Sequence, residues 1–263
     1  MFAPRVAVAS LSGESDADWA RAAAPYVGAA FLGGVAIDEA AQEAAEELVA
    51  RDRSEFITDD PTEFIDEQLA ELDAADGPDI FAAVNVRATT VDPIGDAASV
   101  CADHGAGLEI NAHCRQDELC AVGCGEALLR GTDRLVEYVE TARAAGAEVG
   151  VKVRTEVEGV DLSDLAAALA DADANWIHVD AMDSEAVVAD VVAAAPDLFV
   201  IANNGVRDRE TVREYLDYGA DAVSVGRPSD NPEVLQRVRA ATDEWFAEQA
   251  SRADSDDEQE ATV

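Results

Sequence analysis

Short, almost continuously apolar segments alternate along the chain with longer segments of helical spacing. Apolar runs of this kind are typical of strands in a parallel sheet that is buried on both faces. The pattern predicts eight strands, at Val6–Leu11, Ala29–Gly33, Ile80–Val86, Gly107–Asn111, Val149–Val153, Trp176–Asp180, Leu198–Asn203 and Ala222–Gly226.

Helix signals stand between the predicted strands. Asp16 and Asp208 occupy expected N-cap positions, and Gly146 and Gly219 follow predicted helix ends, where a left-handed residue is favoured. Eight strand–helix units in a chain of 263 residues predict a (β/α)8 TIM barrel, with a doubly wound open sheet as the structural alternative.

Two stretches depart from the simple alternation. Val35–Gly77 is long enough to add one or two helices after the second strand, and a last helix is predicted at about Pro232–Gln249. We expect residues 1–250 to form one barrel domain and the polar, acidic residues 251–263 to form a disordered tail.

Acidic residues dominate the charge, since 56 acidic and 18 basic residues give a net charge of −38. Molar salt screens such self-repulsion, so the composition predicts a salt-adapted, halophilic type of protein. An acidic surface for a basic partner is the alternative, and RNA is disfavoured, though less so at high salt. The chain has no run of 18 apolar residues and no secretory signal, so we expect a cytoplasmic protein without membrane insertion.

Polar and small residues gather at the predicted carboxyl ends of the strands, where barrels of this type carry their active sites. They are Ser10, Asn85, Asn111, His113, Cys114, Lys152, Arg154, His178, Asp180, Asn203, Asn204, Gly205, Gly226 and Arg227. Lys152 is the single lysine of the chain, which indicates a compact cation that arginine does not replace. It either holds the electron-rich edge of a cofactor or acts as a Schiff-base nucleophile.

The last two predicted strands end in Asn204-Gly205 and Gly226-Arg227. Small residues at these two ends let backbone N–H groups approach a phosphate, and an arginine adds a charge-assisted contact. The pattern therefore predicts a phosphate site.

Cys114 follows the fourth predicted strand, and a thiol is a competent acid near neutral pH. The spacing of Cys114, Cys120 and Cys124 matches no zinc or iron–sulfur pattern, so we predict no metal site. A cytoplasmic location also argues against disulfides.

Taken in order over Val6–Arg227, these motifs resemble the flavin-dependent dihydrouridine synthase family and, more distantly, the dihydroorotate dehydrogenase barrels. ASLSGESD is similar to the family's A-P-M-A-G-x-T-D, NAHC to N-x-G-C, and VKVR to V-K-x-R. IANNG is similar to I-x-N-G, VSVGR to V-M-I-G-R, and WIHVD takes the place of H-G-R-T.

The resemblance implies FMN across the barrel mouth. Lys152 would contact the pyrimidine edge of the flavin, Asn85 would hold the ring, and His178 would lie beside cofactor and substrate. The full set of cofactor-binding residues that it implies is Ser10, Asn85, Lys152, His178, Asn204, Gly205, Gly226 and Arg227.

The resemblance also implies a reaction. Reduced flavin would deliver hydride to C6 of a uracil ring, in tRNA or a free pyrimidine. The implied catalytic residues are Cys114, which protonates C5, Asn111, which positions the base, Lys152 and His178. NAD(P)H would be a transient donor, because the chain has no nicotinamide-binding fingerprint. The alternatives are a non-redox lyase or aldolase that uses Lys152 as a Schiff base, and a non-catalytic flavin or nucleotide binder.

Three departures from the family pattern bear on the substrate. His113 and Arg115 replace the glycine and proline beside the cysteine, and Asp180 replaces the arginine of His-Gly-Arg, which removes a cation near the substrate. One helix follows the barrel, where the family adds a helical domain that grips tRNA. The resemblance therefore supports flavin as the cofactor more strongly than tRNA as the substrate.

Overall fold

The computed structural model describes residues 1–74 and 77–260, without the side chains of residues 253–260. All eight strands are parallel and pair in chain order, and β8 pairs with β1 to close a barrel. The strands are β1 Val6–Val8, β2 Ala29–Ala36, β3 Phe81–Arg87, β4 Gly107–Ala112, β5 Glu148–Arg154, β6 Trp176–Asp180, β7 Phe199–Asn203 and β8 Ala222–Val225. Closure confirms the predicted (β/α)8 barrel and excludes the doubly wound open sheet, which would leave two edge strands unpaired.

Helices surround the barrel. They are α1 Ala17–Ala23, α2 Glu39–Val49, α3 Pro61–Asp73, α4 Asp92–Asp103, α5 Asp117–Ala121, α6 Thr132–Ala144, α7 Leu162–Asp171, α8 Val187–Ala194, α9 Arg209–Asp217 and α10 Pro232–Glu260, with short 3-10 helices at Gly125–Arg130 and Arg227–Asp230. Two helices, α2 and α3, occupy the long segment after β2, as predicted. None of the helices in the described part of the chain combines the length and apolar character that a membrane crossing needs.

Local end signals act as the sequence predicts. The carboxylates of Asp16 and Asp208 accept backbone N–H groups of the first turns of α1 and α9. Gly146 and Gly219 adopt φ angles of +96° and +95° after α6 and α9. The last helix, α10, extends beyond its predicted end. Of the tail predicted at 251–263, the backbone of residues 251–260 belongs to α10, and residues 261–263 lie outside the described residues. The side chains of residues 253–260 also lie outside the described part, so the predicted disorder of the tail stays a prediction.

Aromatic side chains fill the amino-terminal end of the barrel. Phe2, Phe31 and Trp176 belong to one buried apolar cluster inside the barrel. The Trp176 indole lies against Gly150 of β5, where an added Cβ would stand 2.0 Å from Cε2 of the indole. Only glycine leaves room for this ring.

A chain of hydrogen bonds crosses the barrel above these aromatic residues. One carboxylate oxygen of Glu109 lies 2.8 Å from His178 Nδ1 and accepts Trp176 Nε1–H at 3.3 Å. Its other oxygen accepts from Asn85 Nδ2 at 2.7 Å, and His178 Nε2 lies 2.7 Å from Ser224 Oγ. All five side chains are fully buried. A buried carboxylate is tolerated when donors satisfy it in this way.

The protonation states within this network follow from its geometry and burial. Burial opposes ionisation of Glu109, but its hydrogen bonds with His178 and Asn85 and the charge of Lys152 hold the pKa of Glu109 below its ordinary value. Burial lowers the pKa of His178, although Glu109 opposes that shift. An ionised Glu109 therefore accepts from Nδ1–H of a neutral His178, and Nε2 accepts from the Ser224 hydroxyl.

We predict that Gly150→Ala lowers the free energy of unfolding by about 1–3 kcal/mol, because the new methyl group overpacks the Trp176 indole. Chemical denaturation in molar KCl measures the change. Gly95→Ala is the matched control, since its Cβ would stand 3.4 Å from the Thr141 methyl, and alanine favours the helix interior. Equal stability of Gly150→Ala and the wild type would contradict the close packing of the Trp176 indole against Gly150.

We predict that the free energy of unfolding, measured in molar KCl, falls as the pH is lowered from about 7 to about 5. Because the pKa of folded His178 is lowered, the unfolded chain takes up a proton first and gains stability relative to the folded chain. His178→Gln is expected to make the free energy of unfolding depend less steeply on pH between about 7 and about 5. His104→Gln should steepen this dependence, because hydrogen bonds to Asp73 and Asp66 raise the pKa of His104.

Candidate active site

A cleft of about 670 Å³ opens at the carboxyl ends of the strands. This volume lies within the range of about 300–1,000 Å³ that is usual for ligand sites. Ser10, Asn111, Cys114, Asn204 and Arg227 are among the residues that line it. The structure thus brings together residues that the sequence predicts at the ends of β1, β4, β7 and β8.

The charge of the cleft lining differs from that of the whole chain. Five arginines and four acidic residues line the cleft, whereas the chain has 18 basic and 56 acidic residues. They are Arg53, Arg87, Arg115, Arg154 and Arg227, with Glu14, Asp52, Glu55 and Asp180. An anionic ligand therefore meets less repulsion here than over the rest of the molecule.

Lys152 of β5 lies beneath the cleft. Its side chain is almost fully buried, and its Nζ stands 3.5 Å from Ser10 Oγ, which lines the cleft. Burial lowers the pKa of the ammonium, although the carboxylates of Glu109 and Asp180 oppose that shift. An ammonium has three donors, and the one long contact that Lys152 makes with the described residues uses little of that capacity, so an acceptor-rich ligand above Ser10 would satisfy it.

Asn111 fixes the turn that carries Cys114. Its Oδ1 accepts the N–H groups of His113 and Cys114 at 3.2 and 3.0 Å, and its Nδ2 donates to Asn85 Oδ1 at 2.8 Å. From the other side, a Cβ at Gly125 would stand 2.1 Å from the carbonyl oxygen of Cys114, so only glycine packs there. The turn is therefore anchored both to the buried network and to the following loop.

Two predicted site residues lie one layer below the cleft. Asn85 and His178 are fully buried, and neither lines the cleft. Each lies two residues before the end of its strand, and Arg87 and Asp180, which share the inward side, reach the cleft instead. Asn85 bonds to Glu109 and Asn111, and both ring nitrogens of His178 are engaged within the barrel, so the side chains of Asn85 and His178 are held from below the cleft.

Asp180 connects three strand ends. His113 Nε2 lies 2.6 Å from its Oδ2, and Asn204 Nδ2 donates to its Oδ1 at 2.7 Å. Burial opposes ionisation of Asp180, but these hydrogen bonds outweigh it and hold the pKa of the carboxyl well below its ordinary value. The Asn204 amide is thus held by Asp180 in the lining of the cleft. Gly226 stays open, since a Cβ there would meet no described atom within 4 Å beyond its chain neighbours.

Sequence reasoning missed Glu109 and Arg87. Glu109 interrupts an apolar strand, and a carboxylate in such a position signals a buried partner. Arg87 donates to Glu55 and Ser12 and so fixes two loops at the cleft rim. The Nε atoms of Arg87 and Arg154 are buried and have no hydrogen-bond partner among the described residues.

Comparison with known proteins identifies a family and two similar folds. The sequence profile of the family described as Dihydrouridine synthase (Dus) matches residues 66–259. An uncharacterized protein of Methanocaldococcus jannaschii is 27% identical over 239 residues, which cover 85% of this chain and 88% of that protein.

Two solved structures share the fold at low sequence identity. A ligand-free DHODH from Eimeria tenella has a TM-score of 0.66 at 13% identity, and the match covers 90% of this chain and 83% of that one. A thiamine phosphate pyrophosphorylase from Pyrococcus furiosus has a TM-score of 0.51 at 13% identity, with 91% and 96% covered. These two similarities establish the barrel alone. Since the family profile spans well over half of the chain, this protein belongs to the dihydrouridine synthase family, as its motifs predict.

Proposed function

We propose that this protein is an FMN-dependent oxidoreductase that reduces the C5=C6 bond of a uracil ring, in tRNA or a free pyrimidine. The observation that carries the proposal is the convergence of a buried lysine and a cysteine on one cleft: Lys152 below Ser10, and Cys114 on the turn held by Asn111. Membership of the dihydrouridine synthase family supports the same reaction class.

The residues present fit FMN. The underused Lys152 ammonium and the lining arginines Arg87, Arg154 and Arg227 give the cleft cationic donors for an anionic, carbonyl-rich ligand. Lys152 and Ser10 would hold the pyrimidine edge of the flavin. Arg227 and the backbone N–H groups of Gly205 and Gly226 would hold the phosphate, for which the open space at Gly226 leaves room.

The side chains of this protein have three tasks in the proposed reaction. FMN, when bound and reduced by a transient NAD(P)H, would supply the hydride for C6. Cys114 gives its thiol proton to C5. The Lys152 ammonium stabilises negative charge at the base of the cleft. Asn111 keeps the Cys114 turn in place, and Asn85 and His178 support it from below through Glu109.

A Schiff-base lyase is the second candidate. Burial lowers the pKa of Lys152, which also favours a neutral amine nucleophile. This reaction needs no flavin, so the flavin content of the purified protein separates the two candidates. Trapping of a carbonyl substrate on Lys152 by borohydride would support the lyase.

We predict that protein purified in molar KCl carries stoichiometric FMN, seen in its visible spectrum and identified after denaturation. Lys152→Met should weaken FMN binding by about tenfold or more, because it removes a charged donor from a buried site. Arg239→Met is the matched control, since Arg239 pairs with Asp243 on an exposed helix face. A protein that takes up no added FMN would contradict the proposal.

We predict that Cys114→Ala keeps FMN but reoxidises reduced flavin with uridine or a tRNA transcript at least about a hundredfold more slowly, because the proton donor to C5 is lost. Stopped-flow absorbance under anaerobic conditions measures the rate. Cys101→Ala is the matched control, since Cys101 lies in α4 and does not line the cleft. Flavin reoxidation at the wild-type rate in Cys114→Ala would contradict the role of Cys114 as the proton donor.

A further inference from the structure

His113 and Asp180 form a fixed pair in the wall of the cleft. His113 Nε2 lies 2.6 Å from Asp180 Oδ2, while Asp180 Oδ1 accepts from Asn204 Nδ2 at 2.7 Å. The His113 side chain lines the cleft and is 30% exposed, whereas that of Asp180 is 11% exposed. Asp180 therefore holds the Nε2 edge of the imidazole, and the Nδ1 edge faces the cleft.

The tautomer of His113 follows from its partner. An ionised carboxylate only accepts hydrogen bonds, so Nε2 carries the proton. Burial lowers the pKa of His113, the hydrogen bond to Asp180 opposes this shift, and the charge of Lys152 adds to it. The ring is neutral near neutral pH, and Nδ1 is a hydrogen-bond acceptor without a partner among the described residues.

Nδ1 of His113 differs from the other polar groups of the cleft lining, whose acceptors include four charged carboxylates. Lys152, Arg87 and Arg154 are cationic donors with unused capacity, and Ser10 offers a hydroxyl. Nδ1 of His113 is a neutral acceptor on the turn that also carries Cys114. It matches a ligand N–H that lies close to the atom that Cys114 protonates.

We infer that His113 accepts a hydrogen bond at Nδ1 from the imide N3–H of the uracil ring and thereby selects uracil over pyrimidine rings without that proton. The inference rests on the proposed function, which places a uracil ring beside Cys114. N3–H is the one ring N–H of a uracil attached to ribose. Cytosine offers a lone pair at N3, so two acceptors would face each other, and a methyl group at N3 also removes the donor.

Nitrogen NMR of the histidine rings tests this contact directly, because the chain has three histidines. Protein labelled with ¹⁵N-histidine is titrated in molar KCl with uridine, N3-methyluridine and a uridine-containing tRNA transcript. We expect Nδ1 of His113, assigned with His113→Gln, to move toward hydrogen-bonded values with uridine or the transcript but not with N3-methyluridine. His104, which is bonded to Asp66 and Asp73, is the internal control.

Variants supply the second measurement. His113→Ala should reduce the ratio of the binding affinities for uridine and N3-methyluridine by roughly tenfold. His113→Gln should keep part of this ratio, because its amide oxygen also accepts a hydrogen bond. An unchanged preference in His113→Ala, or no response of His113 to uridine and to the transcript, overturns the inference.

The two proposals fail separately. If uridine or the transcript shifts His113 Nδ1 but neither of them reoxidises the flavin, base recognition stands and the proposed reaction falls. If uridine reoxidises the flavin without any change at His113, the reaction stands and the recognition role falls.

Discussion

The ionised carboxylate of Glu109 inside the barrel is the constraint on which the site depends. A charge in this position is stable only while donors surround it, and the donors come from His178 and Trp176 of β6 and Asn85 of β3. These bonds fix the inward side chains of three strands relative to one another. Through Asn85 and Asn111 the same constraint reaches the turn that carries Cys114.

Charge is distributed in two opposite ways on this molecule. The chain as a whole carries a net charge of −38, which suits a protein that works in concentrated salt. At the cleft, arginines balance the carboxylates, and the one lysine lies buried beneath them. Salt screens exposed charges but reaches buried ones much less, so the buried cations Lys152, Arg87 and Arg154 keep their effect under conditions that screen the surface.

The two departures from the family motifs at His113 and Asp180 meet in space. By the motif resemblance, Asp180 stands where the family pattern has an arginine, and His113 stands where it has a glycine. Together they form one hydrogen-bonded pair, so the two changes are one structural feature. The Arg87 contacts with Ser12 and Glu55 hold the facing rim.

The sequence by itself determined the eight strands, the helix caps and the edge of the barrel that carries the chemistry, because hydrophobic period and cap residues act locally. It also grouped Lys152 with Cys114, since the carboxyl ends of parallel strands share one edge. Only the tertiary structure decided depth and pairing. Asn85 and His178 lie below the mouth, and His113 meets Asp180 across 67 residues. Both facts depend on strand register and barrel closure, which no local pattern encodes.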